Sequence, residues 1–297
     1  MAALPAGSST RLNISAAAAS VTVALILVIL KLWALGATQS LSVAASLADS
    51  ALDMMMSLAG LMAVIYAARP ADEDHAFGHT SVEDLTALAQ SIFILISAGV
   101  IGWAAVGRLH SDTPAPLMAQ GRGIVVMIVS MLLTIALVLW QRRVARRTGS
   151  KVVAADSLHY LSDLLPALGA IAALWISHQF GIGQVDSIIA LAAAVMLAFG
   201  AGTIGKGAWD ALMDRSADHD ILDGIAGITD AFPGIRGFHD LKTRTAGSRV
   251  FVHIHIELDG DQSLREAHKI GAALRRKIIE TYPQCDVIIH KDVAGET

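Results

Sequence analysis

Two aspartates lie four residues apart inside a long apolar stretch, LADSALDMMMS, at residues 47–57. Asp49 and Asp53 have no lysine or arginine nearer in the sequence than Lys31 and Arg69. On an α-helix, residues at this spacing project from one face, with Cβ atoms about 5–6 Å apart. Two carboxylates this close repel each other, and each costs at least about 2.5–3.5 kcal/mol near the centre of a membrane span. A bound cation or protons would remove that cost.

The same spacing recurs in HYLSD, where His159 precedes Asp163 by four residues. Two helices that each present two ligands would together supply the four ligands of a tetrahedral Zn²⁺ site. One imidazole and three carboxylates suit Zn²⁺ or Fe²⁺ better than Cu⁺, which prefers sulfur. A polar contact with a neighbouring helix is the alternative for either pair alone, but two matching pairs favour a metal site.

Two further groups of residues have the side chains that bind metals. The segment PADEDHAFGH, residues 70–79, places Asp72, His75 and His79 close together, with a solvated acidic turn as the alternative interpretation. The C-terminal region predicts another site, because alternate residues on a strand share a face. For any single histidine there, a surface or partly buried imidazole is the more ordinary interpretation. The C-terminal candidates are His239, His253, His255, His268, His290 and Asp292.

The composition indicates which elements hold these residues. Of 297 residues, 54% are hydrophobic and 16% are charged, whereas soluble domains carry about 25% charged residues. A hydrocarbon core of about 30 Å requires about 20 helical residues. The chain therefore predicts an α-helical membrane protein with six transmembrane helices, at approximately 14–36, 41–68, 85–109, 123–141, 157–177 and 184–208.

Basic residues predict the orientation of these spans. The loop QRRVARRTGSK between the fourth and fifth spans carries five lysines and arginines, whereas the loops GATQS and SHQFGIG carry none. Basic loops stay on the cytoplasmic side, so both termini are expected in the cytoplasm. The predicted divisions are a cytoplasmic tail at 1–13, a membrane domain at 14–209 and a cytoplasmic domain at 210–297.

The C-terminal region has the charge density of a soluble domain. Its patterns predict the order αββαβ, with helices on one side of a mixed sheet. Ser263, followed by Glu266 three residues later, predicts the start of the second helix. The net charge of −4 gives no reason to expect nucleic acid as a partner, and the single cysteine, Cys285, excludes an intramolecular disulfide and thiolate-rich zinc sites.

These motifs together resemble those of the cation diffusion facilitators, and within them the bacterial zinc and iron efflux transporters. The stretches that carry the resemblance are DSALD, PADEDHAFGH, ADSLHYLSD, FHDLKTRTAG and DVIIHKD, which occur in the family's order and cover nearly the whole chain. The resemblance implies a homodimer in the bacterial inner membrane, in contact with lipid, with a ferredoxin-like cytoplasmic domain.

The resemblance also implies roles for the candidate ligands. Asp49, Asp53, His159 and Asp163 correspond to the family's transport site. Asp72, His75 and His79 correspond to its loop site. The binuclear site that helps to hold the cytoplasmic domains together corresponds to His239, His255, His268, His290 and Asp292, whereas His253 falls where no ligand is required.

One position departs from the family pattern. Relatives often carry GHGKAE after the loop histidine, and the lysine pairs with an acid of the other subunit near the end of the sixth span. This chain has GHTSVE, with Ser81 in place of the lysine, and Asp214 is the expected partner acid. We therefore expect a looser dimer at the junction of membrane and cytoplasm.

The ligand set predicts a divalent cation:proton antiporter that works by alternating access. Ionised carboxylates and a neutral imidazole capture the metal from the cytoplasm, and protons displace it on the other side, because ligands must be deprotonated to bind. His159 is the expected proton carrier. The predicted substrate is Zn²⁺, with Fe²⁺, Cd²⁺, Co²⁺ and Mn²⁺ left open. The alternatives are a membrane metal sensor without transport and an intramembrane metalloenzyme, although the chain has no HExxH.

Overall fold

The computed structural model describes residues 6–38, 41–109, 121–180 and 185–296. The chain divides into two compact units, one of residues Arg11–Ala208 and the other of residues Met1–Thr10 together with Trp209–Thr297. The first unit is helical, and the second combines helices with a sheet. The elements are α1 Ala6–Thr38, α2 Leu41–Ala67, α3 Ser81–Leu109, α4 Gly121–Thr148, α5 Lys151–Phe180, α6 Val185–Leu212, α7 His219–Asp230, β1 Gly237–Ala246, β2 Arg249–Leu258, α8 Leu264–Thr281 and β3 Cys285–Val293.

Five helices among the described residues are long and apolar enough to cross a membrane: Ser9–Trp33, Ser50–Ala67, Ser81–Gly107, Ile128–Thr148 and Leu191–Leu212. Each overlaps a span predicted from the sequence. The predicted span at 157–177 lies within α5, which is not one of the five. The first half of α5 carries Lys151, Asp156 and Asp163, and the side chains of its second half, after Leu165, lie outside the described part of the structure.

Small residues allow α3, α5 and α6 to pack closely in the helical unit. Ile94, Leu158 and Leu197 form a buried cluster with two alanines. At Gly205 on α6, an added Cβ atom would lie 2.5 Å from the Ser91 hydroxyl on α3. Glycine therefore sets the distance between these two helices.

An ion pair connects the same three helices at one end. Lys151 Nζ on α5 donates to Asp84 Oδ1 on α3 at 2.8 Å and to the Gly207 carbonyl on α6 at 3.1 Å. Asp84 is 1% exposed. A carboxylate so deeply buried requires a partner of opposite charge, and Lys151 supplies it.

The C-terminal unit is a three-stranded mixed sheet with two helices. Strand β2 lies in the centre, antiparallel to β1 and parallel to β3. Val252, Ile254 and Ile256 of β2 are buried in a core that includes Leu274 and Ile278 of α8. The order α7-β1-β2-α8-β3 confirms the element order expected from the sequence.

The N-terminus of α8 is also as predicted. The Ser263 side chain accepts a hydrogen bond from the Glu266 backbone N–H, and the Glu266 carboxylate accepts one from the Ser263 backbone N–H. These hydrogen bonds from Ser263 lower the pKa of Glu266 below its ordinary value. The helix therefore begins with a complete capping box.

Candidate metal centres

The structure brings together residues from two helices inside the membrane unit. Asp53 on α2 and His159 and Asp163 on α5 each offer a ligand atom, and these atoms all lie within 4.8 Å of one another. His159 Nε2 lies 3.1 Å from Asp53 Oδ1. Asp49 lies one turn before Asp53 on α2, and its side chain is outside the described part of the structure. We name Asp53, His159 and Asp163 the membrane cluster.

Two members of the membrane cluster, His159 and Asp53, are largely shielded from solvent, whereas Asp163 is exposed. The side chains of His159 and Asp53 are 6% and 14% exposed. The Phe93 ring packs edge-on against the His159 imidazole, with centroids 5.7 Å apart. The second ring nitrogen, Nδ1, is buried and has no hydrogen-bond partner among the described residues. A shielded imidazole beside two carboxylates can bind a divalent cation or a proton.

A lysine that the sequence analysis did not assign reaches toward this region. Lys31 on α1 donates a hydrogen bond from Nζ to Ser50 Oγ on α2 at 2.6 Å. Ser50 directly follows Asp49 in the sequence. The separation of 19 residues between Lys31 and Ser50 concealed this contact, because only the packing of α1 against α2 creates it.

The second cluster, which we name the loop cluster, lies between α2 and α3. Asp72, His75 and His79 have ligand atoms within 4.8 Å of one another. Both oxygens of Asp72 face imidazoles: Oδ1 lies 3.3 Å from His75 Nδ1 and Oδ2 lies 3.2 Å from His79 Nε2. His79 is buried against Tyr66, whereas Asp72 and His75 are exposed.

The backbone of the loop keeps Asp72 ionised. The His75 backbone N–H donates to Asp72 Oδ1 at 2.7 Å. This hydrogen bond, together with the nearby His79 and His75 imidazoles, lowers the pKa of Asp72 below its ordinary value. The carboxylate therefore retains its charge, and hence its ability to bind a metal, at mildly acidic pH.

The third cluster lies on one face of the sheet, and we name it the sheet cluster. His239, His255 and Asp292 come from β1, β2 and β3 and have ligand atoms within 4.8 Å of one another. The strand register explains this, because His239 pairs with His255 and His255 pairs with His290. Successive strands lie about 4.8 Å apart, so the side chains meet across the sheet.

Asp292 is the centre of the sheet cluster. Its Oδ2 lies 2.8 Å from His255 Nδ1 and 3.4 Å from His239 Nε2. Its Oδ1 lies 3.1 Å from His290 Nε2. Each oxygen of this carboxylate therefore faces at least one imidazole.

The sheet cluster contains one residue that the sequence analysis did not assign. Glu257 Oε1 lies 3.1 Å from His239 Nδ1 and would orient the imidazole. A register shift between His239 and Lys242 marks a β-bulge at this point of β1, where Asp240 has a φ of 50°. His255 and Glu257 lie two residues apart on β2 and so share one face of the strand. This alternation in the sequence could have indicated Glu257 as a neighbour of the histidines.

Two candidate histidines lie apart from the clusters. His268 is exposed on α8, and no ion pair or ring contact with another described residue joins it to the sheet cluster. His253 is also exposed on β2.

Asp214, the acid expected to face another subunit, accepts a hydrogen bond from Arg244 of the same chain at 3.2 Å. Ser81 begins α3.

Comparisons with known proteins cover both units. Residues 17–213 match the model of the cation efflux transmembrane domain, and residues 217–293 match that of the cation efflux protein cytoplasmic domain. The cation-efflux pump FieF of Cronobacter sakazakii is 40% identical over 95% of this chain and 93% of its own length. FieF of Shigella flexneri is 38% identical over the same shares.

Solved structures match the C-terminal unit. The metal-bound C-terminal domain of the CzcD transporter from Thermotoga maritima is 28% identical, covers 26% of this chain and 92% of its own, and has a TM-score of 0.26.

Proposed function

Because the chain belongs to the cation efflux family, the cation diffusion facilitators, we propose that it exports Zn²⁺ from the cytoplasm in exchange for protons. The family relationship gives the class of protein, a membrane transporter of cations. The choice of metal, the coupling to protons and the ligands are our proposal, with Fe²⁺, Cd²⁺, Co²⁺ and Mn²⁺ as further substrates to be tested.

The observation that carries the proposal is the membrane cluster. Asp53, His159 and Asp163 converge to within 4.8 Å from two helices, and Asp49 lies one turn from Asp53 on the same helix. Four ligands of this kind suit the tetrahedral geometry that Zn²⁺ prefers. The imidazole favours Zn²⁺ over Mn²⁺, since harder cations prefer an all-oxygen set.

Proton exchange follows from the chemistry of the same ligands. Each carboxylate and the imidazole can bind either a proton or the metal through the same lone pair. When the site faces the more acidic side, protons compete with the metal and promote its release. His159 is the main candidate for carrying the proton, because histidine ordinarily titrates near neutral pH.

We assign supporting roles to the other two clusters. The loop cluster would collect cations, because two of its three ligands are exposed. The sheet cluster would hold Zn²⁺ as a structural or regulatory ion, and Asp292 would bridge two such ions together with His239, His255 and His290. His268 would join this site only if the protein rearranges or a second subunit contributes to it, consistent with a homodimer.

The proposed topology has six spans, with α5 as the fifth, and both termini in the cytoplasm of a bacterial cell. The last turn of α4 contains Arg146 and Arg147, and basic residues favour the cytoplasmic side. The polar residues of α5 would face the other helices rather than lipid. Its buried residues Asp156, His159 and Tyr160 support that placement.

The direct test is transport by the purified protein in proteoliposomes that contain a zinc-sensitive dye. An imposed pH gradient is expected to drive zinc uptake, and dissipation of the gradient with a protonophore should abolish it. Zinc binding without gradient-driven uptake would instead indicate a membrane metal sensor. Repeating the assay with competing divalent cations identifies the preferred substrate.

A further inference from the structure

A buried amide and a buried acid form a pair between α4 and α5. Gln141 Nε2 donates a hydrogen bond to Asp156 Oδ2 at 2.5 Å. Gln141 is 0% exposed and Asp156 is 4% exposed. The amide oxygen of Gln141, Oε1, and the second carboxylate oxygen of Asp156, Oδ1, are both buried. Neither has a hydrogen-bond partner among the described residues. Two orphaned acceptors on one bonded pair require an explanation, since a buried unsatisfied polar atom is costly.

The neighbouring hydroxyl groups leave the Gln141 amide oxygen without a donor. The Ser20 hydroxyl on α1 lies close enough to interact with the Asp156 carboxylate, although in the structure it donates its single hydrogen to Ser57 Oγ on α2 at 2.8 Å. Ser57 in turn shares a hydrogen bond of 2.8 Å with the Tyr160 hydroxyl. These three hydroxyl groups therefore bond mainly to one another.

No basic side chain neutralises Asp156 among the described residues around it. The titratable groups that act on it are Asp53 on α2 and His159 and Tyr160 on α5, while α1 and α4 contribute the neutral Ser20 and Gln141. Only His159 can become positive, and it already lies against Asp53. An ionised carboxylate with no counter-ion is strongly disfavoured at such a position.

A single proton on Asp156 would give both unpaired oxygens a hydrogen-bond partner. A carboxylic acid and a primary amide are complementary: the amide N–H donates to one carboxyl oxygen, and the carboxyl O–H donates to the amide oxygen. With a proton on Oδ1, Asp156 would donate to Gln141 Oε1 while Oδ2 continues to accept from Nε2. We propose that Asp156 and Gln141 form a proton-binding site, separate from the metal ligands, that keeps Asp156 neutral at physiological pH.

This site would act on the transporter by positioning His159. Asp156 precedes His159 by three residues on α5, about one helical turn. The acid–amide pair ties this turn to α4, and the Ser20, Ser57 and Tyr160 hydroxyls tie it to α1 and α2. A neutral Asp156 also adds no negative charge that would compete with the membrane cluster for a cation.

Infrared spectroscopy of the full-length protein in detergent tests the proton directly. The wild-type spectrum at neutral pH should contain a carboxylic-acid C=O band that is absent from Asp156→Asn. In Gln141→Leu this band should shift, because the hydrogen bond to the amide is lost. Glu83→Gln is the matched control, since Glu83 is another buried acid and its replacement should leave the Asp156 band in place. Loss of only carboxylate bands in Asp156→Asn would overturn the proposal.

A second measurement distinguishes a neutral Asp156 from an ionised one. Asparagine reproduces both hydrogen bonds of the protonated acid, so Asp156→Asn should bind zinc within about twofold of the wild type. Its thermal stability should fall less than that of the wild type as the pH rises, because asparagine has no proton to lose. A loss of zinc binding as large as that in Asp53→Ala would contradict the proposal. The infrared result stands whether or not the protein transports zinc, so the two proposals can fail separately.

Discussion

His159 Nε2 lies 3.1 Å from Asp53 Oδ1, although 106 residues separate the two in the sequence. The contact joins α2 to α5 and combines an imidazole with a carboxylate in a shielded position. It is the geometric basis for treating the two motifs, DSALD and HYLSD, as one site.

The imidazole of this pair should determine which metal is preferred. Replacing it in His159→Asp gives an all-carboxylate set, which suits harder cations. We expect the ratio of Zn²⁺ to Mn²⁺ transport to fall by at least about tenfold, which corresponds to about 1.4 kcal/mol of relative affinity. Parallel uptake assays with the two metals measure this ratio, and an unchanged ratio would show that His159 does not select the metal.

Asp292 should control zinc binding by the C-terminal unit. A ligand at about one hundred times its Kd stabilises a folded protein by about 2.7 kcal/mol, and Asp292→Asn removes the carboxylate that the three histidines share. Zinc should therefore slow hydrogen exchange in β2 and β3 of the wild type but much less in the variant. Asp261→Asn, at an exposed loop position, is the control and should behave as the wild type.

The Asp72 carboxylate of the loop cluster should remain able to bind metal at mildly acidic pH. The hydrogen bond from the His75 backbone N–H lowers the pKa of Asp72 below its ordinary value of 3.8. The ionised carboxylate therefore stabilises the folded loop above pH 3.8. This stabilisation is lost as the pH falls through the lowered pKa. Between pH 7 and 5 Asp72 therefore stays ionised, in the form that binds metal.

Zinc titrations of the full-length chain at several pH values check this expectation. Because Asp72 is ionised in this pH range, Asp72→Asn should leave the number of protons released per zinc bound unchanged, even where it weakens binding. Fewer protons released per zinc by this variant would show that the carboxylate is protonated in the metal-free protein, contrary to our account.

Close packing of α3 against α6 should make Gly205 sensitive to substitution. The Cβ atom of Gly205→Ala would lie 2.5 Å from Ser91 Oγ, whereas nothing described lies within 4 Å of the equivalent atom at Gly202. Overpacking typically costs about 1–3 kcal/mol. Gly205→Ala should lower the thermal midpoint in detergent, and Gly202→Ala should leave it nearly unchanged. Equal midpoints for the two variants would show that the helices are not in this contact.

Local patterns in the sequence were sufficient to predict features that depend on neighbouring residues. The Ser263 and Glu266 capping box, the alternation along β2 and the grouping of Asp72, His75 and His79 all involve short separations in the chain. Periodicity places such residues on one face without knowledge of the tertiary fold.

Contacts between residues that are far apart in the sequence could not be predicted from local patterns. The contact of Glu257 with His239 requires the register of β1 against β2, and the pair of Gln141 and Asp156 requires the rotation of α4 relative to α5. The separation of His268 from the sheet cluster has the same origin, because its position depends on how α8 packs on the sheet.

The central claim is that the membrane cluster, rather than the loop cluster, is the transport site. The most direct measurement compares zinc uptake into proteoliposomes under the same pH gradient by Asp53→Asn and Asp72→Asn, two substitutions of equal chemistry. Our account predicts that Asp53→Asn abolishes uptake and that Asp72→Asn retains it at a reduced rate. Uptake by Asp53→Asn at the wild-type rate would contradict it.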